Sequence, residues 1–253
     1  MVLRLKKTIL FLLLGLSNGI FSYYSFGGWW NSSVGSLLIL FFSYLIWNKG
    51  FPKHVGLQLD LITIAKSLTL AGVVTVCALL IMKYIANKHN VQIRFTNWRN
   101  YYHDIFYILN EEIVLGAILL FAMVNKIKIR PIVASIGLAV FFALIHFVFY
   151  MWIFKDRGII GVSTLTTLFL IGFVRNSLIF QTGHIGYSWA LHFGWIVIMF
   201  GSMHIDLNSN LRVTEPERFN LYLGSIEMLI ISIIIAGLSL IYWIKKYSPQ
   251  NHV

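Results

Sequence analysis

The sequence predicts an all-α, polytopic membrane protein, a single bundle of about eight transmembrane helices around an intramembrane polar cavity. Of its 253 residues, 58% are hydrophobic and only 11% are charged, less than half of the roughly 25% charged residues of a soluble domain. Apolar segments of about 20 residues, the length that crosses a bilayer, recur along the whole chain. We therefore expect residues 1–253 to form one integral membrane domain, which excludes a soluble enzyme and a disordered chain.

Eight apolar segments are candidate spans, of which the second is short at its ends. The first follows a basic start, and we expect it to remain uncleaved because no small-residue cleavage site follows it. The polar, aromatic stretch Lys88–His103 is predicted to lie at the lipid headgroups, and the sixth and seventh spans are joined by a tight Thr182-Gly183 turn. In chain order, the predicted spans are Thr8–Phe26, Ser33–Trp47, Leu61–Ala86, Asp104–Val124, Pro131–Phe154, Gly161–Phe180, His184–Met203 and Tyr222–Ile244.

The charged residues indicate a lipid partner. There are 20 Lys and Arg against 9 Asp and Glu, and the basic residues fall in short segments between the spans, as the positive-inside rule and anionic headgroups require. More of them lie on the face that holds both chain ends, which predicts a multi-pass cell-membrane protein with both termini in the cytoplasm. No basic stripe forms a folded module, so nucleic acid is not an expected partner. The single cysteine, Cys77, excludes an intrachain disulfide and a cysteine-based zinc site.

Ionisable side chains inside the predicted spans indicate function, since each costs several kcal/mol unless it is paired or hydrated. Arg175 and Glu227 lie nearer span ends and are interpreted as snorkelling or cleft residues. Lys66 is either a counter-charge or a second snorkelling residue. The candidate site is therefore built from the remaining four residues, Glu111, Glu112, His146 and His192.

Three of these residues are predicted to lie at a similar depth. Because successive spans alternate in direction, the span ends near Glu111, His146 and His192 lie on the same membrane face. At about 1.5 Å per residue, the three side chains lie roughly 10–17 Å below that face. A lone histidine or a carboxylate pair can serve helix packing alone, but independent packing residues have no reason to share a layer. One buried polar site is the better interpretation.

Carboxylates and histidines at one depth permit two chemistries. A glutamate can act as general base toward a water while a histidine donates to the developing oxyanion. Alternatively, Glu111, His146 and His192 could hold a divalent metal such as zinc. The sequence contains neither a His-Glu-x-x-His zinc signature nor a Gly-x-Ser-x-Gly nucleophile elbow, so we expect no cofactor, with zinc as the second possibility.

Three short patterns occur in order over residues 104–200. The first is Glu111-Glu112, the second is Phe142-x-x-x-His146, and the third is His192. In this set the chain resembles the CAAX prenyl endopeptidase and bacteriocin-processing (CPBP, Abi) family of intramembrane glutamate proteases. The family motifs are Glu-Glu-x-x-x-Arg, Phe-x-x-x-His, and His followed four residues on by Asn or Asp. Here the arginine position is Gly116 and the last position is Ile196, two departures from the family pattern.

The resemblance implies an intramembrane endopeptidase that cleaves a hydrophobic, lipidated or leader-type peptide or a membrane-protein substrate. It implies that Glu111 activates the water with support from Glu112, that His146 is its partner and that His192 holds the oxyanion. Because of the two departures, a non-catalytic binding or bacteriocin-immunity protein of the same fold is an alternative. A proton-coupled transporter with the glutamate pair as relay is another. Three side chains could replace the missing asparagine, namely Asn110, Ser188 and Asn176.

Overall fold

The computed structural model describes residues 2–23, 28–89, 91–95, 97–148, 161–196, 203–207, 211–212 and 220–247. A 3₁₀ turn, Asn48–Gly50, leads from α2 into α3, and a π-helix, Glu112–Ile118, connects α5 to α6. The strands are β1 Val91–Phe95, β2 Met203–Leu207 and β3 Leu211–Arg212. The α-helices are α1 Val2–Tyr23, α2 Asn31–Trp47, α3 Phe51–His54, α4 Leu61–Lys88, α5 Trp98–Glu111, α6 Leu119–Asn125, α7 Pro131–Val148, α8 Val162–Thr182, α9 Gly186–Ile196 and α10 Ile226–Tyr247.

Six of the described helical segments are long and apolar enough to cross a membrane. They match the second to sixth and the eighth predicted spans, so the helical membrane bundle is confirmed. The first predicted span overlaps α1 as far as Tyr23, and its residues 24–26 are outside the described part of the chain. The seventh predicted span contains α9, after which residues 197–202 are likewise not described. The count of eight therefore stays a prediction. The six segments are Asn31–His54, Leu61–Lys88, Trp98–Asn125, Pro131–Val148, Val162–Thr182 and Ile226–Lys246.

The outer faces of these helices are apolar. Large hydrophobic side chains are widely exposed on α2, α4 and α10, with Leu37 67% exposed, Leu80 62% and Leu238 63%. A soluble monomer rarely exposes contiguous apolar surface of this kind. These faces are suited to the hydrocarbon of a bilayer, whereas the polar residues described below are buried between helices.

A short antiparallel sheet in the connecting segments was not predicted. Its strand order is β1-β2-β3, and Ile93 is in register with Ile205. The stretch 88–103, predicted as interfacial, contains β1 and the start of α5. The helix begins at Trp98 rather than at the predicted Asp104, because Asn97 caps it by accepting a hydrogen bond from Arg99 N at 3.1 Å. Met203 likewise begins β2 instead of ending the seventh span.

Close helix packing brings α9 between its neighbours. α4 packs along α9, and α8 packs along α7 and α10. The turn from α8 to α9 depends on Gly183, which has φ +76° and donates its backbone N–H to Ile179 O at 2.9 Å, a left-handed helix end that glycine adopts without strain. The tight turn predicted at Thr182-Gly183 is thus confirmed, and it places Arg175 of α8 and His192 of α9 on facing helices.

A glycine exchange tests the α4–α9 packing. A Cβ at Gly194 would lie 2.8 Å from Ala71 O and 2.9 Å from Val74 Cβ, so we expect Gly194→Ala to lower the free energy of unfolding by about 1–3 kcal/mol through overpacking. The control is Gly72→Ala on α4, where a Cβ would meet nothing within 4 Å, and it should have little effect. Thermal unfolding in detergent measures both, and equal stability of the two variants would contradict the packing.

Candidate functional site

The two glutamates lie where the helix changes its winding. Glu111 is the last residue of α5 and Glu112 the first residue of the π-helix, and their exposed fractions are 2% and 0%. A π-helix is wider than an α-helix and is often found at functional sites. Both carboxylates are therefore directed into the bundle interior, away from lipid.

Glu112 forms a buried ion pair with an arginine of another helix. Arg175 Nε of α8 lies 3.1 Å from Glu112 Oε1, and Arg175 is only 2% exposed. Its guanidinium carbon also lies 4.7 Å from the centre of the Phe142 ring, within the range of a cation–π contact. Of the two interpretations given for Arg175, the structure excludes snorkelling and fits the residue of a polar cleft, since the bundle encloses it and Glu112 balances its charge.

Gly116 leaves the space that this arginine occupies. A Cβ at Gly116 would lie 2.7 Å from Ile179 Cδ1, 3.2 Å from Arg175 Nη2 and 3.5 Å from Glu112 Oε2. A larger residue at position 116 would thus displace the packed α8 side chains. Gly116 occupies the position where the family motif has an arginine, and its lack of a side chain leaves the space through which Arg175 reaches Glu112.

His192 is oriented by Glu112 and faces Glu111. Its Nδ1 lies 2.8 Å from Glu112 Oε1, and because Arg175 favours an ionised Glu112, Nδ1–H is the donor. Its Nε2 lies 3.8 Å from Glu111 Oε2, which is close but beyond hydrogen-bonding distance. The structure thus brings three of the four predicted residues, Glu111, Glu112 and His192, into one connected group.

A tyrosine that the sequence did not indicate contacts Glu111. Tyr107 lies one turn before Glu111 on α5, and its hydroxyl donates to Glu111 Oε1 at 3.2 Å. This bond orients the carboxylate so that its other oxygen is the one near His192. The spacing of four residues along a helix is a signal that could have identified Tyr107 from the sequence.

His146, the fourth predicted residue, lies on α7 beside the same group. Its Nδ1–H donates to Phe142 O at 2.7 Å, within its own helix, and its ring contacts the Phe142 ring with centroids 4.6 Å apart. Phe142 in turn contacts the His192 ring at 5.8 Å. The bond to Phe142 fixes the His146 tautomer and leaves Nε2 as the nitrogen for contact with the cavity.

A narrow cavity opens beside these residues. It offers about 30 Å³ of space to water, enough for one or two molecules. Its polar lining comes from His146, Arg175, Ser188 and His192, and the rest of the lining is apolar: Phe142, Leu168, Ile171, Leu191, Trp195 and Leu223. The arrangement can hold a water against basic groups in an otherwise apolar site.

Of the three side chains considered as a second oxyanion donor, only Ser188 lines this cavity. Asn110 donates to Ser32 O at 3.0 Å and Asn176 donates to Ser135 O at 3.0 Å, so both bind neighbouring helices. The side chain of Ile196 lies outside the described residues.

Two further charged residues of the predicted spans, Lys66 and Glu227, lie apart from the site. Lys66 is exposed near the start of α4 and lies within electrostatic reach of Asp60. Hydrogen bonds from Thr63 hold the pKa of the Asp60 carboxyl below its usual value. Glu227 forms an exposed ion pair with Lys88 at 2.9 Å. In the described ranges, no three His, Cys, Asp or Glu side chains are grouped closely enough to hold a metal ion.

No family model, no curated protein and no solved structure matches the chain. The class of protein thus follows from its own residues. It is a helical membrane protein with a buried glutamate–histidine–arginine site between α5, the π-helix, α7, α8 and α9.

A double-mutant cycle tests the buried ion pair. Arg175→Met leaves the Glu112 carboxylate without its cation, so we expect the free energy of unfolding to fall by about 3–5 kcal/mol. Arg175→Met combined with Glu112→Gln removes both charges and should be clearly more stable than Arg175→Met alone. Denaturant unfolding in detergent measures the cycle.

The matched control for this cycle is Lys88→Met, which breaks the exposed pair with Glu227 and should change stability little. Additive effects of the Arg175 and Glu112 substitutions would contradict direct pairing of the two side chains.

Proposed function

We propose that this protein is an intramembrane endopeptidase that cleaves a hydrophobic, lipidated or leader-type peptide by glutamate-activated water. The observation that supports this most strongly is the connected group in which Glu112 orients His192 and His192 faces Glu111. Two carboxylates in different surroundings are suited to two roles, one as a fixed orienting charge and the other as a base. The resemblance to the CPBP family, carried by Glu111, Glu112, His146 and His192, supports the same function.

In this proposal Glu111 is the general base. A water from the cavity that His192 lines gives its proton to Glu111 as its oxygen attacks the carbonyl carbon of the scissile peptide bond. The tetrahedral intermediate then collapses, the C–N bond breaks, and Glu111 transfers the proton to the departing amine. The products are a carboxylic acid and an amine, which balances the hydrolysis.

His192 is proposed to stabilise the oxyanion. With Nδ1–H directed at Glu112, donation to an oxyanion requires a second proton on Nε2, which His192 takes from solvent before the water attacks and keeps throughout the step. The Glu112 carboxylate stabilises this imidazolium. Arg175 adds a second positive charge on the cavity wall. Its Nη1 is buried and has no hydrogen-bond partner among the described residues, so this charge could take part of the role of the missing motif asparagine.

Arg175 also relates to the other departure from the family motifs, the glycine at position 116. The family pattern places its arginine at position 116, on the glutamate helix itself. Here an arginine from α8 reaches Glu112 across the space that Gly116 leaves. We propose that the charge has moved to a facing helix, so that the loss at position 116 does not by itself indicate an inactive protein.

His146 is proposed to position the attacking water through its Nε2, because Nδ1 is held by Phe142 O. The apolar remainder of the cavity wall fits a hydrophobic peptide. We further propose a cell-membrane location with both termini in the cytoplasm, which the basic residues on that face support.

A cleavage assay tests the proposal. The purified protein in liposomes is incubated with a peptide library that includes lipidated C-terminal tails and leader peptides, and products are identified by mass spectrometry. Glu111→Gln, His146→Ala and His192→Ala should each lose roughly a hundredfold or more in rate. Glu227→Gln, which removes a carboxylate remote from the site, should keep the wild-type rate.

A chelator arm of the same assay tests the zinc alternative, and we expect activity to persist. Loss with chelator and recovery with zinc would overturn the glutamate mechanism. Equal behaviour of wild type and the three site variants would reject the protease and favour a binding or immunity role. Proton-coupled uptake into vesicles that Glu111→Gln abolishes would favour a transporter.

A further inference from the structure

A second cavity, separate from the candidate site, lies at the end of the bundle where α1 begins and α6 ends. It has a volume of about 280 Å³, far larger than the cavity beside His192, and shares none of its lining residues. Its wall is divided by chemistry. Four polar side chains form one part, Lys7, His54, Asn125 and Lys126, and the other part is apolar, with Phe11, Ile46, Trp47, Ile118, Phe121 and Ala122.

The polar part is basic, and no acidic side chain is among the described residues that line it. Lys7 and Lys126 come from the first helix and from the end of α6, yet both line the cavity, and within the described ranges neither forms an ion pair. Lys126 and Lys53 also lie within electrostatic reach of the His54 ring. Lysines that come from separate helices and line the same cavity are suited to binding an anion between them.

The apolar part has a fixed aromatic wall. Trp47 stacks on His54 with centroids 4.9 Å apart and an interplanar angle of 17°, and the Phe11 ring meets Trp47 edge-on at 5.5 Å. Ile118 and Phe121 extend the wall along the helix that leads back to Glu112. A tryptophan with lysines at a helix end is typical of the headgroup layer, with hydrocarbon beginning one turn deeper.

We propose that this cavity binds an anionic phospholipid, with the lipid phosphate between Lys7, Lys126 and His54 and the start of an acyl chain along the apolar wall. Charge complementarity selects a phosphate, and the division of the wall into basic and apolar parts selects a phosphate that carries a hydrocarbon chain. Basic pockets between transmembrane helices bind lipid headgroups in this way. The proposal does not depend on peptidase activity, because it concerns other residues.

Fluorescence quenching by brominated lipids tests the site, with Trp47 as the reporter. The full chain is placed in nanodiscs of phosphatidylcholine with a small share of brominated phosphatidylglycerol or brominated phosphatidylcholine. Quenching should be stronger with the anionic lipid, and Trp47→Phe should remove most of this difference. Lys7→Gln and Lys126→Gln should each weaken apparent affinity for the anionic lipid about fivefold.

The matched controls are Lys6→Gln and Lys128→Gln, which remove the same charge at exposed positions next to the cavity lysines, and they should keep the wild-type preference. Native mass spectrometry, counting retained phosphatidylglycerol, provides a second measurement that does not rely on tryptophan. Equal loss in the control and cavity variants would overturn the site in favour of general surface attraction. Displacement of the lipid by inorganic phosphate at matched ionic strength would show a free-phosphate site and overturn the lipid assignment.

Discussion

A carboxylate enclosed by membrane helices needs a positive partner, and the pair of Glu112 with Arg175 meets this need at 3.1 Å with both side chains buried. Isolating either charge in this interior costs several kcal/mol. The pair joins the glutamate helix to α8, and Phe142 of α7 lies against the guanidinium. Arg175 can approach Glu112 this closely because residue 116 is a glycine. The charge pair therefore explains why position 116 has no side chain.

The same pair gives the two neighbouring glutamates different surroundings. Glu112 is held between Arg175 and His192, whereas Glu111 contacts Tyr107 and faces the far nitrogen of His192. The π-helix that begins at Glu112 lets consecutive residues on one helix reach these separate partners. A fixed carboxylate that orients a histidine, next to a second carboxylate near that histidine, is the arrangement on which the proposed hydrolysis depends.

The sequence predicts the bundle and most of the site because lipid makes polar residues conspicuous. Four ionisable residues stand out in apolar runs: Glu111, Glu112, His146 and His192. The alternating direction of the helices predicts a similar depth for Glu111, His146 and His192. The pairing of Arg175 with Glu112 was not predicted because distance along the chain from a span end does not show which helix a side chain faces. The sheet that starts at Val91 depends on pairing with β2, which is distant in sequence, so local patterns do not reveal it.

The protonation state of the His192 ring tests most directly whether the ion pair of Glu112 and Arg175 orients His192. Nitrogen-15 NMR of histidine-labelled protein, with the His192 signals identified by their loss in His192→Gln, reports which ring nitrogen carries the proton. We expect a protonated Nδ1 in a strong hydrogen bond to a carboxylate. The His192 signals should shift in Glu112→Gln and in Arg175→Met but not in Glu227→Gln. Exchange of the wild-type His192 ring between both tautomers, with no change of its signals in Glu112→Gln, would contradict this pairing.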